Sequence, residues 1–277
     1  MEIIEPKVEL WENNDNNAHV ARCARVCYQS KGNNDENLLL SLKNNDHYSM
    51  FRHATYYYEV PFNFISQNVE KVIKEYYGHS YFDYNMKSIF FAINGQTLME
   101  LPKEILKYLK GHDVVDIDRI PIDIRRYTFD IITQISTSRE LNRVSPNNIA
   151  EKSTRYVKEE GVICRPHWLT RADIDKYELQ TPVTYYDNDK GLRYLIMCSK
   201  MFYQYDSLIK AGLKKEDARG ILPLDTATEC VYTYTVNEWK NIIWLRYYGG
   251  TGLPHPNASI VIGEVRKILN KLLNANI

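Results

Sequence analysis

The sequence has no surplus of charge and no long apolar run, and it is sparing with cysteine. Its 35 lysines and arginines balance 35 aspartates and glutamates, so the formal net charge is zero over 277 residues. A neutral molecule has no long-range field to hold a nucleic-acid backbone. Nor does a basic patch interleaved with aromatics stand out, so no nucleic-acid partner is expected. No apolar run approaches the roughly 20 residues of a membrane span, and no membrane association is expected. Met1-Glu2-Ile3-Ile4-Glu5 is acidic and lacks a signal-peptide pattern, which makes the cytoplasm the expected location. The five cysteines (Cys23, Cys27, Cys164, Cys198, Cys230) are odd in number and scattered. Cys23 and Cys27 stand one helical turn apart, but no second Cys/His pair has matching spacing, so no metal is expected.

What is present is a concentrated polar stretch, Ser136 to Tyr156. It holds three arginines, two glutamates and four serines around few large apolar residues. A core element could not bury that many charges unpaired. Guanidinium is suited to bidentate capture of phosphate or carboxylate. Arg143, Ser153 and Arg155 read as a phosphate clamp, with Glu140 and Glu151 as acceptors for donors on the same ligand. A surface network of ion pairs reads equally well from this window alone.

The length suits one large domain or two small ones. Residues 1 to 12 read as a strand. Ala18 to Tyr28 and Leu38 to Lys43 read as helices, and Thr55 to Val60 is an aromatic, β-prone run. Ile65, Val69, Val72, Ile73 and Tyr76 follow helical spacing up to Gly78. Leu101 to Gly111 is a clearer helix, with Pro102 in its first turn. Tyr127 to Ile132 returns to a β pattern. Leu192 to Ala211 is a long amphipathic helix, with Leu195, Cys198, Phe202, Tyr205 and Ile209 turned inward. Thr235 to Arg246 and Ile260 to Leu273 read as helices. By itself, His53 at a strand entrance reads as a hydrogen-bonded structural residue. Arg246 has a structural reading as a cation at a helix C-terminus, but a charge amid Ile242, Ile243, Trp244 and Leu245 calls for a partner, which favours a functional one.

The polar stretch resembles the signature of the flavin-dependent thymidylate synthases, the ThyX family: Arg-His-Arg, seven residues, then Ser. Arg143-Val144-Ser145 and Ser153 fall on that spacing, with Ser138-Arg139-Glu140-Leu141 before and Glu151-Lys152-Ser153-Thr154-Arg155-Tyr156 after. Ala218-Arg219-Gly220-Ile221-Leu222-Pro223 is similar to the family's Ala-Arg-x-x-Leu-Pro. Thr228-Glu229, Thr233 and Glu238-Trp239 follow at the family's spacing. Gly161 to Trp168 resembles a strand ending in Pro-Pro-Trp, and His255-Pro256-Asn257 resembles His-Pro-Gln. The chain departs at Val144 and Ser145, and at Thr235 and Asn237, where the family has Asn and Arg.

The resemblance implies an α+β, ThyX-like fold with a central, mostly antiparallel sheet flanked by helices. It implies one domain over residues 1–277, with a helical insertion at about 61–125. It implies reductive methylation of dUMP to dTMP, with FAD as cofactor and NADPH and 5,10-methylenetetrahydrofolate as co-substrates. Glu140, Arg143, Glu151, Ser153, Thr154, Arg155, Arg219 and Arg246 would bind dUMP. His53, Thr55, Arg143, Val144, Ser145, Glu151, Thr235, Asn237 and Asn241 would hold FAD. Arg246 and His53 would be catalytic, Arg246 by drawing charge at the uracil edge so that C5 can attack a one-carbon unit. A homotetramer with shared active sites is implied. The departures leave two alternatives: a paralogue that binds a pyrimidine nucleotide with altered flavin chemistry such as hydroxymethylation, or one without catalysis. A phosphate- or RNA-binding interaction protein, in which the arginines meet a backbone, is the reading from another class.

Overall fold

A computed structural model of the chain describes residues 1–32, 34–65, 67–144, 148–179 and 189–277. Its strands, in chain order, are β1 (Glu2–Ile4), β2 (Lys7–Trp11), β3 (Thr55–Pro61), β4 (His79–Asp83), β5 (Ser88–Asn94), β6 (Arg126–Gln134), β7 (Ile149–Glu151), β8 (Val162–Cys164) and β9 (Ala227–Thr235). The strand expected over residues 1–12 divides at Glu5-Pro6, where proline has no N–H to give to a ladder. The first half, β1, pairs in parallel with β8, while β2 joins an antiparallel sheet in the order β2-β6-β9-β7. A second antiparallel sheet runs β3-β5-β4. The fold is α+β and a single domain, with mostly antiparallel sheets flanked by helices.

Alternation along β6 and β9 builds two cores on the four-stranded sheet. Phe129, Ile131, Cys230, Tyr232 and Tyr234 face the helices Val236–Arg246 and Pro256–Leu273. Trp239 meets Phe129 edge-on at 5.0 Å and donates its indole N–H to the Tyr127 carbonyl at 3.2 Å. On the other face Trp11, Ala150 and Val231 pack against Cys23 and Val26 of the helix Asn16–Tyr28. A long helix, Lys190–Lys210, buries Leu192, Leu195, Cys198, Phe202 and Tyr205. The last helix begins at Pro256, earlier than the expected Ile260. There the His255 side chain accepts from the Asn257 N–H, and proline suits the first turn.

The segment 61–125 carries the helices Gln67–Glu75, Gly95–Glu100 and Lys103–Leu109, and also two strands that sequence periodicity does not mark. All seven residues of β5 are buried, so it reads as an unbroken run, not as an alternation. Between β3 and β4 it forms the floor of a separate core with Val60, Val69, Ile73, Leu101 and Leu109. Gly78 ends the first helix of the segment, where an added Cβ would come 2.4 Å from Cγ2 of Ile73. Among the described residues no helix is long and apolar enough to cross a membrane.

Candidate functional site

Strand β6 runs directly into the helix Ile135–Leu141. Ser138 and Asn142 are one turn apart on it, and both reach Glu151 at the end of β7. Ser138 donates to Oε1 at 2.7 Å and Asn142 to Oε2 at 3.1 Å, and Thr228 of β9 adds a third bond to Oε1 at 3.2 Å. The carboxylate of Glu151 thus ties helix, β7 and β9 together. The chain then turns, with the Lys152 N–H on the Glu229 carbonyl and the Ser153 N–H on the Cys27 carbonyl, both at 2.9 Å.

Facing this turn, Arg219 lies in a short helical turn, 219–221, just after Lys215–Ala218. Its Nη1 donates to the Thr154 hydroxyl at 3.0 Å and its Nε to the Glu216 carbonyl at 3.1 Å. Arg155 reaches the Glu216 carboxylate at 3.1 Å. Two of the expected guanidiniums therefore meet at Glu216. Beside them opens a cavity of about 610 Å³, lined among others by Arg139, Lys152, Ser153, Thr154 and Arg219. Cations and hydroxyls around one small cavity are the donor set that a phosphomonoester requires.

The single chain does not bring every expected residue here. Arg143 is exposed and makes no hydrogen bond or ion pair among the described residues. Arg246, half-buried at the end of its helix, donates to the backbone carbonyl of Glu140 at 3.2 Å. Neither lines the cavity. Val144 packs against the central core, and Ser145 lies outside the described residues. Thr235 is fully buried as the N-cap of the helix Val236–Arg246, in a capping box with Glu238. Asn237 and Asn241 are exposed one turn apart on that helix.

His53 is fully buried at the end of a polar chain that crosses the sheet. Its Nδ1 lies 2.7 Å from the Thr233 hydroxyl, which lies 2.8 Å from the Thr128 hydroxyl, which lies 2.9 Å from His19 Nε2. Burial above all, with Arg126 adding repulsion, pushes His53 down to about 3 and His19 to about 4, so both imidazoles are neutral. Buried Arg126 gives Nη2 to the Arg52 carbonyl and Nη1 to the Ala54 carbonyl, each at 2.7 Å. Thr55 lines a second cavity, of about 600 Å³, with Trp11, Tyr56, Tyr57 and Arg126. Its backbone N–H and carbonyl both bond the Asn16 side chain at 2.8 Å.

Sequence reasoning missed Arg139 and Lys152 at the first cavity, and His19 beside His53. Arg139 stands four residues after Ile135, which also lines the cavity, and that helical spacing was the available signal. Among the described residues no cluster of His, Cys, Asp and Glu could hold a metal ion.

The chain thus combines an α+β fold with a cavity lined by cations and hydroxyls. The model of the family described as "Thymidylate synthase complementing protein" matches residues 67–271, and the chain belongs to that family. A flavin-dependent thymidylate synthase of Kosmotoga olearia is 29% identical over 156 residues, which is 55% of this chain and 65% of that relative. The match thus spans just under two thirds of the relative's length. Among solved structures, the UMP/dUMP methylase PolB from Streptomyces cacaoi bound with 5-Br dUMP aligns at 16% identity and a TM-score of 0.45, covering 98% of this chain and 93% of that one. The same protein bound with 5-Br UMP gives 16% and 0.46, covering 98% and 92%.

Proposed function

We propose that the chain is a flavin-dependent thymidylate synthase that methylates dUMP at C5. The observation that carries the reading is the meeting of Ser153, Thr154 and Arg219 at one cavity, with Thr154 and Arg219 65 residues apart in sequence and Arg155 held beside it on Glu216. In this role Arg219 and Ser153 hold the 5′-phosphate, and Arg246 draws charge at the uracil edge as C5 attacks the methylene of 5,10-methylenetetrahydrofolate. The transferred carbon must gain two electrons to become a methyl group. NADPH supplies them, and the folate leaves as tetrahydrofolate.

The family implies FAD, and the residues fit it in part. Arg143, Asn237 and Asn241 present exposed polar groups that would hold it, whereas His53, Thr235 and Val144 are committed inside the fold. Bound FAD would supply the hydride. The exposure of Arg143, and the absence of Arg246 from the cavity lining, favour a homotetramer in which they complete a neighbour's site. Light scattering on the purified protein tests that assembly.

Release of tritium from dUMP labelled at C5, with FAD, NADPH and the folate present, tests the reaction. Release that depends on FAD, NADPH and the folate is the expected result. Binding of dUMP without release, even with all present, would leave the second reading as a nucleotide-binding paralogue without catalysis, whereas release without formation of dTMP would mark it as one with altered chemistry such as hydroxymethylation. Val144, half-buried against the central core and without a polar group, favours that second reading.

A further inference from the structure

Lys152 and Glu159 form the most deeply buried ion pair among the described residues, with side chains 14% and 2% exposed. Lys152 Nζ donates to Glu159 Oε2 at 2.8 Å and to the Ala227 carbonyl at 3.0 Å. An ammonium has three N–H donors, so one remains. Lys152 also lines the cavity that carries Ser153, Thr154 and Arg219. The pair joins the two ends of the loop 152–159, whose intervening residues include Ser153, Thr154 and Arg155.

The second oxygen of Glu159, Oε1, is buried without a partner among the described residues. A buried carboxylate so poorly served by donors keeps its charge only beside a cation. The two groups therefore hold each other in place. Around the cavity the positive charges of Arg139, Lys152 and Arg219 are opposed by Glu151, which lines it, and by Glu159 behind Lys152. That leaves only a slight positive excess, matched to one phosphate and not to a polyphosphate.

Resting on the reading of this cavity as the nucleotide site, we propose that the Lys152–Glu159 pair sets its charge and its preference for a monophosphate. Lys152 gives its third N–H to the phosphate, and Glu159 fixes that ammonium while cancelling most of its field.

Calorimetric titration with dUMP, dUTP and deoxyuridine tests this. In Glu159→Gln the amide oxygen still accepts from Lys152, but the counter-charge is gone. This variant is expected to bind dUMP several-fold tighter and to gain still more for dUTP, with deoxyuridine unchanged. The double variant Lys152→Met, Glu159→Met removes both charges and leaves no buried ion alone. It is expected to bind dUMP about tenfold or more weaker, the scale of a lost charge-assisted contact, with deoxyuridine again unchanged. Thermal melts confirm that each variant is folded, and the double variant keeps the test open if Glu159→Gln is not.

A folded Glu159→Gln that fails to tighten dUMP, or a double variant that keeps wild-type dUMP affinity, overturns the inference alone. A wild-type chain that binds no dUMP overturns the reading of the cavity and takes the inference with it.

Discussion

Thr128 and Thr233 stand opposite one another on β6 and β9 with their hydroxyl oxygens 2.8 Å apart, and each hydroxyl also meets a buried histidine. Each hydroxyl can donate once and accept twice, so the chain of four groups orders itself without a charge. Thr233→Val would leave His53 Nδ1 buried and unpaired. The expected loss is about 1–3 kcal/mol of stability, with Thr233→Ser losing much less. Urea denaturation of both variants measures it, and equal midpoints for valine and wild type would refute the role given to this bond.

The two histidines make the protein sensitive to acid. Their folded values, about 3 and 4, lie below the ordinary value near 6.5. The unfolded chain therefore binds protons that the folded chain refuses. Their contribution is fully present above about pH 6.5 and declines as pH falls toward 4. A His53→Gln variant should show a shallower loss of melting temperature over that interval than wild type. Parallel curves would remove His53 as a cause.

Asp130 acts with the opposite sign. It faces Glu9 across β2 and β6, and Glu229 lies diagonally opposite on β9. Burial first, then Glu229 and Glu9, raise its carboxyl to about 7, while Arg22 and Lys7 pull it down. The folded state thus holds a proton that the unfolded state releases near pH 4. The associated stability is present below about pH 4 and lost as pH rises through 7. Asp130→Asn, neutral throughout, should gain on wild type as pH goes from 4 to 8. A difference in melting temperature that stays constant over that range would count against it.

At the cavity, Arg219→Ala should weaken dUMP binding by about 1–3 kcal/mol, the scale of a lost charge-assisted contact. It also frees the Thr154 hydroxyl that Arg219 now holds. Titration calorimetry gives the number, and unchanged affinity would take Arg219 out of the site.

Glu151 gathers three donors, so Glu151→Ala should strand Asn142 and Thr228 and leave Ser138 only the Ile135 carbonyl at 3.0 Å. The expected cost is about 1–3 kcal/mol or more, since donors on buried Ser138 and Thr228 and half-buried Asn142 lose this acceptor at once. A thermal melt at neutral pH reads it. No change would mean that the three donors find water instead.

The family signature was legible in the sequence because it is local. Glu151 to Arg155 follow one another from the end of β7 into a turn, and their spacing survives translation into geometry. The helices of residues 18–28, 192–211 and 235–246 were legible for the same reason, as each carries its own 3.6-residue stripe and its own cap. β5 was not, since a strand covered on both faces loses alternation. Lys152 was not legible in its role either. Only Glu159, seven positions on, and the Ala227 carbonyl, 75 residues away, turn it inward. His19 meets His53 through two threonines on different strands, a relation that no window of sequence contains. Arg143 and Arg246 were grouped with Arg219 on the resemblance, and a single chain leaves them outside the cavity.

The segment 61–125 looks dispensable in sequence, yet β5 lies at the middle of its sheet with every residue covered. Trimming the chain to a minimal catalytic unit would strip β3 of its neighbour and bare a row of unsatisfied amides beside Tyr56, Tyr58 and Val60. Such a shortened protein would present a sticky rim that recruits other copies, and precipitation would be its dominant behaviour.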